Sequence, residues 1–83
     1  MQTDITYSES AFKHGVTEED IRNAFATLLY DEAGVLDDSM FLVIGFDTSQ
    51  NLIEVIYSIM DDDSIHVFHA MKCRTEYQKY IKR

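Results

Sequence analysis

The start of a helix is marked by the stretch Lys13-His14-Gly15-Val16-Thr17-Glu18-Glu19-Asp20-Ile21. Thr17 is a favoured N-cap residue, and Asp20 lies three positions on, where its carboxylate can accept a hydrogen bond from the Thr17 amide in a capping box. Val16 and Ile21 flank this box at the spacing of a hydrophobic staple. The glycine before them permits a tight bend, so the basic pair that precedes it is predicted to be held beside a rigid helix.

Apolar residues continue from this start at helical spacing, which predicts a helix over residues 17–29. The period then changes to two, the spacing of strands. Met40–Phe46 is apolar on both faces, which predicts a strand in the interior of a sheet, and Leu52–Met60 and Ile65–Met71 are predicted as a second and a third strand. Because their connections are short, we expect them to pair as antiparallel hairpins.

Shorter and less regular patterns predict the secondary structure of the rest of the chain. Ile5–Tyr7 is predicted as a short strand, Glu9–His14 as one helical turn, and residues 74–82 as a terminal helix. Residues 30–39 are predicted as a loop with a short edge strand around Ala33–Leu36. We therefore expect a single α+β domain over all 83 residues, with an N-terminal helix or helices, an antiparallel three- to four-stranded meander and a C-terminal helix.

Strand alternation also predicts which side chains share a face. The inward set of the second strand is expected to be Ile53, Val55, Tyr57 and Ile59, which leaves Glu54 and Ser58 on the other face. On the third strand, His66 and His69 are separated by an odd number of positions, so without a bulge they point to opposite faces and cannot share a metal ion.

Sequence motifs for metal or redox chemistry are missing. No cysteine pair or Glu-x-x-His helix motif accompanies the histidines, so we expect no metal site and no cofactor. The run Asp61-Asp62-Asp63 lacks the glycine and downstream glutamate of an EF-hand and is predicted to be a solvated hairpin tip. Cys73 is the single cysteine, which excludes an internal disulfide, fits a reducing cytoplasm and predicts a half-buried structural thiol.

Charge is distributed unevenly along the chain. The formal net charge of −8 argues against general nucleic-acid affinity, because phosphate binding needs clustered Lys and Arg. Residues 1–71 carry two basic and fourteen acidic side chains, whereas residues 72–83 carry five basic and one acidic. This asymmetry indicates either a local basic patch on an acidic body or a solvated C-terminal helix whose cations complement its dipole.

No apolar run is long enough for a membrane span, and the N-terminus lacks a signal-peptide pattern, so we expect a cytoplasmic protein without membrane contact.

Two histidines and several cations can support metal-free RNA cleavage. This reaction needs a group that takes the 2′-hydroxyl proton, a group that protonates the leaving oxygen, and cations that stabilise the charge on phosphorus. Histidine suits the proton transfers, and Lys or Arg suits the cationic role. The candidate catalytic residues are Lys13, His14, His69 and Arg74, and the candidate RNA-binding residues are Lys72, Tyr77 and Lys79. The alternative for His69 and Tyr77 is purely structural, with the histidine filling a sheet-end position and the tyrosine packing the last helix.

Several short motifs, in this order along the chain, resemble BrnT-type toxins, most of all small actinobacterial-type relatives in which a His-Ala-Met segment precedes an Arg and a Tyr. The motifs are Lys13-His14-Gly15-Val16, Ile44-Gly45, Leu52-Ile53-Glu54-Val55-Ile56, Ile65-His66-Val67-Phe68-His69-Ala70-Met71, and then Arg74 and Tyr77. The resemblance covers roughly residues 9–80. It implies a RelE-like fold, ribonuclease activity, and a cognate antitoxin that also represses the operon.

Two functions therefore stay open. The first is the toxin component of a type II toxin–antitoxin system, an endoribonuclease that acts on RNA without a metal and binds an antitoxin protein. The second is a non-catalytic protein-interaction domain of the same fold with an acidic partner-binding surface. Convergence of the basic pair at residues 13–14 with His69 and Arg74 would separate them. A third option is an acidic mimic of nucleic acid.

Overall fold

One five-stranded sheet organises the chain, and the computed structural model describes residues 4–33 and 39–81 of it. The strands are β1 (Ile5–Tyr7), β2 (Tyr30–Ala33), β3 (Phe41–Phe46), β4 (Leu52–Ile59) and β5 (Ile65–Lys72). The helices are α1 (Glu18–Ala26), α2 (Thr75–Gln78) and two 3-10 segments, Glu9–Phe12 and Lys79–Ile81. The sheet order is β1-β5-β4-β3-β2. Neither α1 nor α2, the α-helices of the described residues, has the length and apolar run that crossing a bilayer requires.

The α+β class is as predicted, but the predicted antiparallel meander of three to four strands is wrong. The sheet is mixed, because β1 pairs in parallel with β5, with Ile5 opposite Ile65 and Tyr7 opposite Val67. The other three neighbouring pairs are antiparallel. β4 occupies only one edge of β5, so the other edge can accept β1. The Ser8 amide then extends the ladder by donating to the Val67 carbonyl at 2.9 Å.

The fifth strand occupies part of the segment that was predicted as a loop. Tyr30–Ala33 pairs with β3, while residues 34–36 of the predicted edge strand lie outside the described residues. Helix α1 correspondingly ends at Ala26 and not at residue 29. It stops because the Leu29 amide donates to the Ile44 carbonyl at 2.8 Å, which commits the chain to the sheet.

The C-terminal helix is also shorter than predicted. α2 has four residues, and the chain then tightens into the 3-10 segment that ends at Ile81. Residue 82, the last of the predicted helix, lies outside the described residues. The segment is still fixed to the sheet, because Tyr77, Tyr80 and Ile81 pack against its apolar face.

The sheet is covered on both faces by apolar side chains. The first core lies on the face that carries α1 and comprises Ala11, Val16, Ile21, Ala24, Val43, Ile53, Val55, Tyr57, Val67 and Ala70. The second core lies on the face that carries α2 and comprises Leu42, Ile44, Ile56 and Cys73. Of the predicted inward set of β4, only Ile59 is misplaced: it is the last residue of the strand and is 50% exposed at the hairpin end.

Local signals fix α1 against the sheet as the sequence predicts. The capping box is present, since the Asp20 amide donates to the Thr17 hydroxyl at 3.1 Å and the Thr17 amide donates to the Asp20 carboxylate at 3.0 Å. Gly45 lies directly under the helix, where an added Cβ would overlap the Ala24 carbonyl oxygen. The absence of a side chain at this position therefore sets how closely α1 approaches β3.

Candidate functional site

A buried carboxylate lies at the centre of the second face of the sheet. Glu54 is on β4 opposite Ile44 of the second core, and its side chain is 0% exposed. The carboxylate accepts hydrogen bonds from His69 Nε2 at 2.9 Å and from the Arg74 amide at 3.0 Å. It also accepts from Arg74 Nε at 3.1 Å and from Arg74 Nη2 at 2.8 Å. Glu54 thus connects β4 to β5 and to the residue that precedes α2.

The hydrogen bonds determine the charge state of Glu54. Burial by itself would raise its pKa, but the hydrogen bonds from His69 and Arg74 outweigh burial and hold the pKa below the usual glutamate value. The carboxylate is therefore ionised at neutral pH, and both of its oxygens are already engaged. A saturated, buried carboxylate cannot take a proton from a substrate, so its role is to orient its neighbours.

A β-bulge sets the direction of His69. β5 is paired with β4 so that His69 stands opposite Ile56 while Val67 stands opposite Tyr57, which leaves Phe68 as an extra residue. This shift turns the His69 side chain onto the second face, where it is 23% exposed. An ionised carboxylate only accepts hydrogen bonds, so His69 Nε2 carries the hydrogen and, in the neutral ring, Nδ1 is the free acceptor.

The same bulge corrects the prediction that His66 and His69 point to opposite faces. His66 pairs with Ser58 and His69 with Ile56, two positions apart on β4, so both histidines lie on the second face. They nevertheless have different partners, because His66 Nδ1 lies 2.7 Å from the Thr6 hydroxyl. Within residues 4–33 and 39–81, no group of three or more His, Cys, Asp or Glu side chains is arranged to hold a metal ion.

His14 reaches His69 around the edge of the sheet. The 3-10 segment after β1 is tied to β5, since the Ser10 hydroxyl donates to the Phe68 carbonyl at 2.6 Å. The chain then bends at Gly15, whose φ is +85°, a conformation that favours glycine. The His14 ring lies 5.8 Å from the His69 ring in an edge-to-face arrangement with an angle of 70°. The structure thus brings together two histidines that are far apart in sequence.

Arg74 contributes a fixed cation to the same cluster. Its side chain is 41% exposed even though the guanidinium is hydrogen-bonded to Glu54. The Nη1 donors and the second Nη2 hydrogen make no hydrogen bond to the described residues, and the guanidinium carbon lies 4.9 Å from the Tyr77 ring centroid. Arg74 can therefore hold Glu54 and bind an anion at once. We call Glu54, His69, Arg74 and His14 the polar cluster.

The other predicted site residues lie at different distances from this cluster. Lys13 is exposed next to His14 and makes no ion pair with the described residues. Tyr77 is half-buried beneath Arg74, and Lys79 lies over the Tyr80 ring at 5.3 Å. Lys72 stands opposite Ile53 of the first core, so the strand register places it on the other face of the sheet, away from Tyr77.

Sequence reasoning missed Glu54 as a member of the site. A signal was present, because an acidic residue flanked by apolar ones inside a central strand is seldom buried without a charged partner. Tyr80 and Tyr30 were also missed, and their rings stack at 5.0 Å beside Tyr77.

Comparison with known proteins adds no assignment. No protein-family model matches the chain, and the curated proteins include no match to it. The polar cluster itself is therefore the evidence that bears on function.

Proposed function

We propose that this protein is the RNA-cleaving toxin of a type II toxin–antitoxin system and acts in the cytoplasm without a metal ion, as its resemblance to BrnT-type toxins implies. The observation that supports this best is the pair of histidine rings 5.8 Å apart beside the Glu54-bound Arg74. Two proton-transfer groups and an anchored cation at one exposed place are what cleavage of an RNA phosphodiester requires.

The hydrogen bond to Glu54 supports different roles for the two histidines. His69 has Nδ1 free as an acceptor and takes the proton of the ribose 2′-hydroxyl. The 2′-oxygen then attacks phosphorus, the bond from phosphorus to the 5′-oxygen breaks, and a protonated His14 supplies a proton to the departing 5′-oxygen. The products are a 2′,3′-cyclic phosphate and a 5′-hydroxyl, so atoms and protons balance without a cofactor.

The cations stabilise the charge that builds up on the phosphate oxygens. Arg74 presents its unbonded N–H groups to these oxygens while its other donors stay on Glu54. Lys13 lies in the same turn as His14 and adds a second positive charge. Glu54 is a positioning residue: it touches no substrate, but it fixes both the His69 tautomer and the orientation of the guanidinium.

Purified protein incubated with a single-stranded RNA in excess EDTA tests the proposal. We expect cleavage that yields cyclic phosphate ends and that stops when the 2′-hydroxyl at the cleaved position is replaced by hydrogen. His69→Ala is expected to lower the rate by roughly 10²- to 10⁴-fold, and Arg74→Lys, which keeps the charge but loses the fork geometry, by a smaller factor.

His66→Ala is the matched control, because His66 lies on the same strand and face but is bonded to Thr6 and not to the polar cluster. It should cleave like the wild type. Equal losses in His66→Ala and His69→Ala would contradict the proposal, as would cleavage that EDTA abolishes. In a bacterium, induced expression should arrest growth unless a cognate antitoxin is present.

The second candidate is a non-catalytic domain that binds a basic protein partner. The excess of acidic over basic side chains in residues 1–71 favours it. On this alternative the polar cluster only fastens α2 to the sheet. Stable soluble protein that neither cleaves RNA nor arrests growth would support it.

A further inference from the structure

A row of aromatic rings leads away from the polar cluster along the second face of the sheet. The Tyr77 ring lies 6.3 Å from the Tyr80 ring, and the Tyr80 ring stacks on Tyr30 at 5.0 Å with an angle of 24°. Arg74 covers the near end of the row at 4.9 Å from Tyr77. We call Tyr77, Tyr80 and Tyr30 the tyrosine row; it joins α2 and the last 3-10 segment to the edge strand β2.

Each ring of the tyrosine row is only half-buried. The inner parts pack against the second core, and the outer parts remain open to solvent. Two cations lie directly on the row, Arg74 at Tyr77 and Lys79 at 5.3 Å from the Tyr80 centroid. In a chain whose net charge is −8, a place where cations and aromatic rings alternate is unusual and chemically specific.

We infer that the tyrosine row binds the unpaired bases of a single-stranded RNA whose phosphate lies at the polar cluster. Aromatic side chains stack on base faces, and these faces are open only where the strand is not paired, while interleaved cations contact the backbone. The inference rests on the proposed function and adds to it the substrate class: unpaired RNA of mixed sequence, because every base offers a face for stacking.

Acidic side chains limit the row at both ends. The Tyr30 hydroxyl donates to the Glu32 carboxylate at 3.0 Å, which closes the far end to phosphate. Glu76 lies in the first turn of α2, and its charge acts on both Arg74 and Tyr77. Glu76→Gln should therefore strengthen RNA binding, a gain that packing alone does not predict.

The test uses a short single-stranded RNA that carries 2′-O-methyl groups at every ribose, so that binding is measured without cleavage. The chain contains no tryptophan, and stacking can be followed directly by quenching of tyrosine fluorescence. Tyr80→Leu, which keeps apolar volume but removes the ring, is expected to weaken binding about tenfold. Tyr80→Phe should restore it, and the RNA annealed to its complement should bind less tightly than the single strand.

Tyr7→Leu is the matched control, because it makes the same change in a tyrosine that packs against the first core on the other face. Equal binding of duplex and single strand by the unaltered protein would overturn the inference, and so would equal losses in Tyr80→Leu and Tyr7→Leu. Unmodified RNA is assayed for cleavage in parallel. Binding that needs the Tyr80 ring, without cleavage, supports the inference and contradicts the proposed nuclease activity. Cleavage by a protein whose binding does not depend on the Tyr80 ring supports the nuclease activity and overturns the inference.

Discussion

Arg74 reaches Glu54 through three donors at once, its amide at 3.0 Å, Nε at 3.1 Å and Nη2 at 2.8 Å. Glu54 is wholly buried, whereas the Arg74 side chain is 41% exposed. Glu54, in the middle of the sheet, therefore fixes the position of the Arg74 guanidinium at the surface. It also fixes the backbone where β5 ends and α2 begins.

Replacement of Arg74 by leucine is predicted to destabilise the fold. The substitution removes the guanidinium from a buried carboxylate that keeps its bonds from His69 and the residue-74 amide. Since solvent reaches the guanidinium, we expect a loss of roughly 2 kcal/mol in the free energy of unfolding, below that of a fully enclosed pair. Adding Glu54→Gln should recover part of this loss, because the uncompensated charge disappears. Urea unfolding of the single and double variants measures the coupling.

Arg22→Leu provides the control for this cycle. It removes an ion pair with Glu18 at 3.2 Å in which both side chains are more than half exposed, and such pairs add little stability. Its unfolding midpoint should stay near that of the wild type. Strict additivity of Arg74→Leu and Glu54→Gln would contradict the coupling between the two residues.

Acid is predicted to weaken the fold partly through Asp20. Hydrogen bonds from the Thr17 and Thr48 amides lower the pKa of Asp20 from 3.8 to about 2, so the folded state prefers the ionised carboxylate. As the pH falls, the unfolded chain takes up this proton first, and stability present above pH 3.8 is lost towards about pH 2. Thermal unfolding across this range should give a flatter pH profile for Asp20→Asn; parallel profiles would contradict the assignment.

The approach of α1 to β3 is predicted to depend on Gly45. A Cβ at this position would overlap the Ala24 carbonyl, and because backbone must move, we expect Gly45→Ala to lower the free energy of unfolding by about 3 kcal/mol. Gly15→Ala is the comparison: it has open space but a φ of +85°, so strain alone should cost about 1 kcal/mol. Denaturant titration ranks the two, and a larger loss for Gly15→Ala would contradict the packing argument.

Cys73 is predicted to react slowly in the native protein. Burial, together with the charge of Glu54, raises the pKa of its thiol to about 11, so little thiolate exists near neutral pH. Absorbance with an aromatic disulfide reagent at pH 8 should show slow modification of the folded chain and rapid modification in urea. Equal rates in the two conditions would show that the thiol is accessible and not part of the second core.

The sequence allowed the local elements to be predicted but not the non-local ones. β3, β4 and β5 follow from the apolar pattern within each segment, and the α1 cap follows from neighbouring residues. The three residues of β1 carry no information about their partner, although Thr6 meets His66 across 60 positions. The bulge at Phe68 also lacks a sequence marker, so the direction of His69 could not be predicted.

The candidate site shows the same division. Chemistry alone selected His14, His69 and Arg74, which lie together in the polar cluster. Glu54, which joins His69 to Arg74, was assigned only to a face, because alternation gives direction but not partners. Lys72 was predicted to bind RNA together with Tyr77, whereas strand register places the two on opposite faces of the sheet.

The pairing of β1 with β5 has a consequence for the order in which the molecule is made. β1 is synthesised before the other four strands, yet the strand it pairs with is the last of the five. During synthesis on the ribosome, β1 therefore remains unpaired until the intervening chain and β5 have emerged. The His14 ring, which follows β1 in the chain, can contact His69 only after β5 has joined the sheet. Assembly of the polar cluster is thus a late event in biosynthesis, and the nascent chain stays without its paired histidines until then.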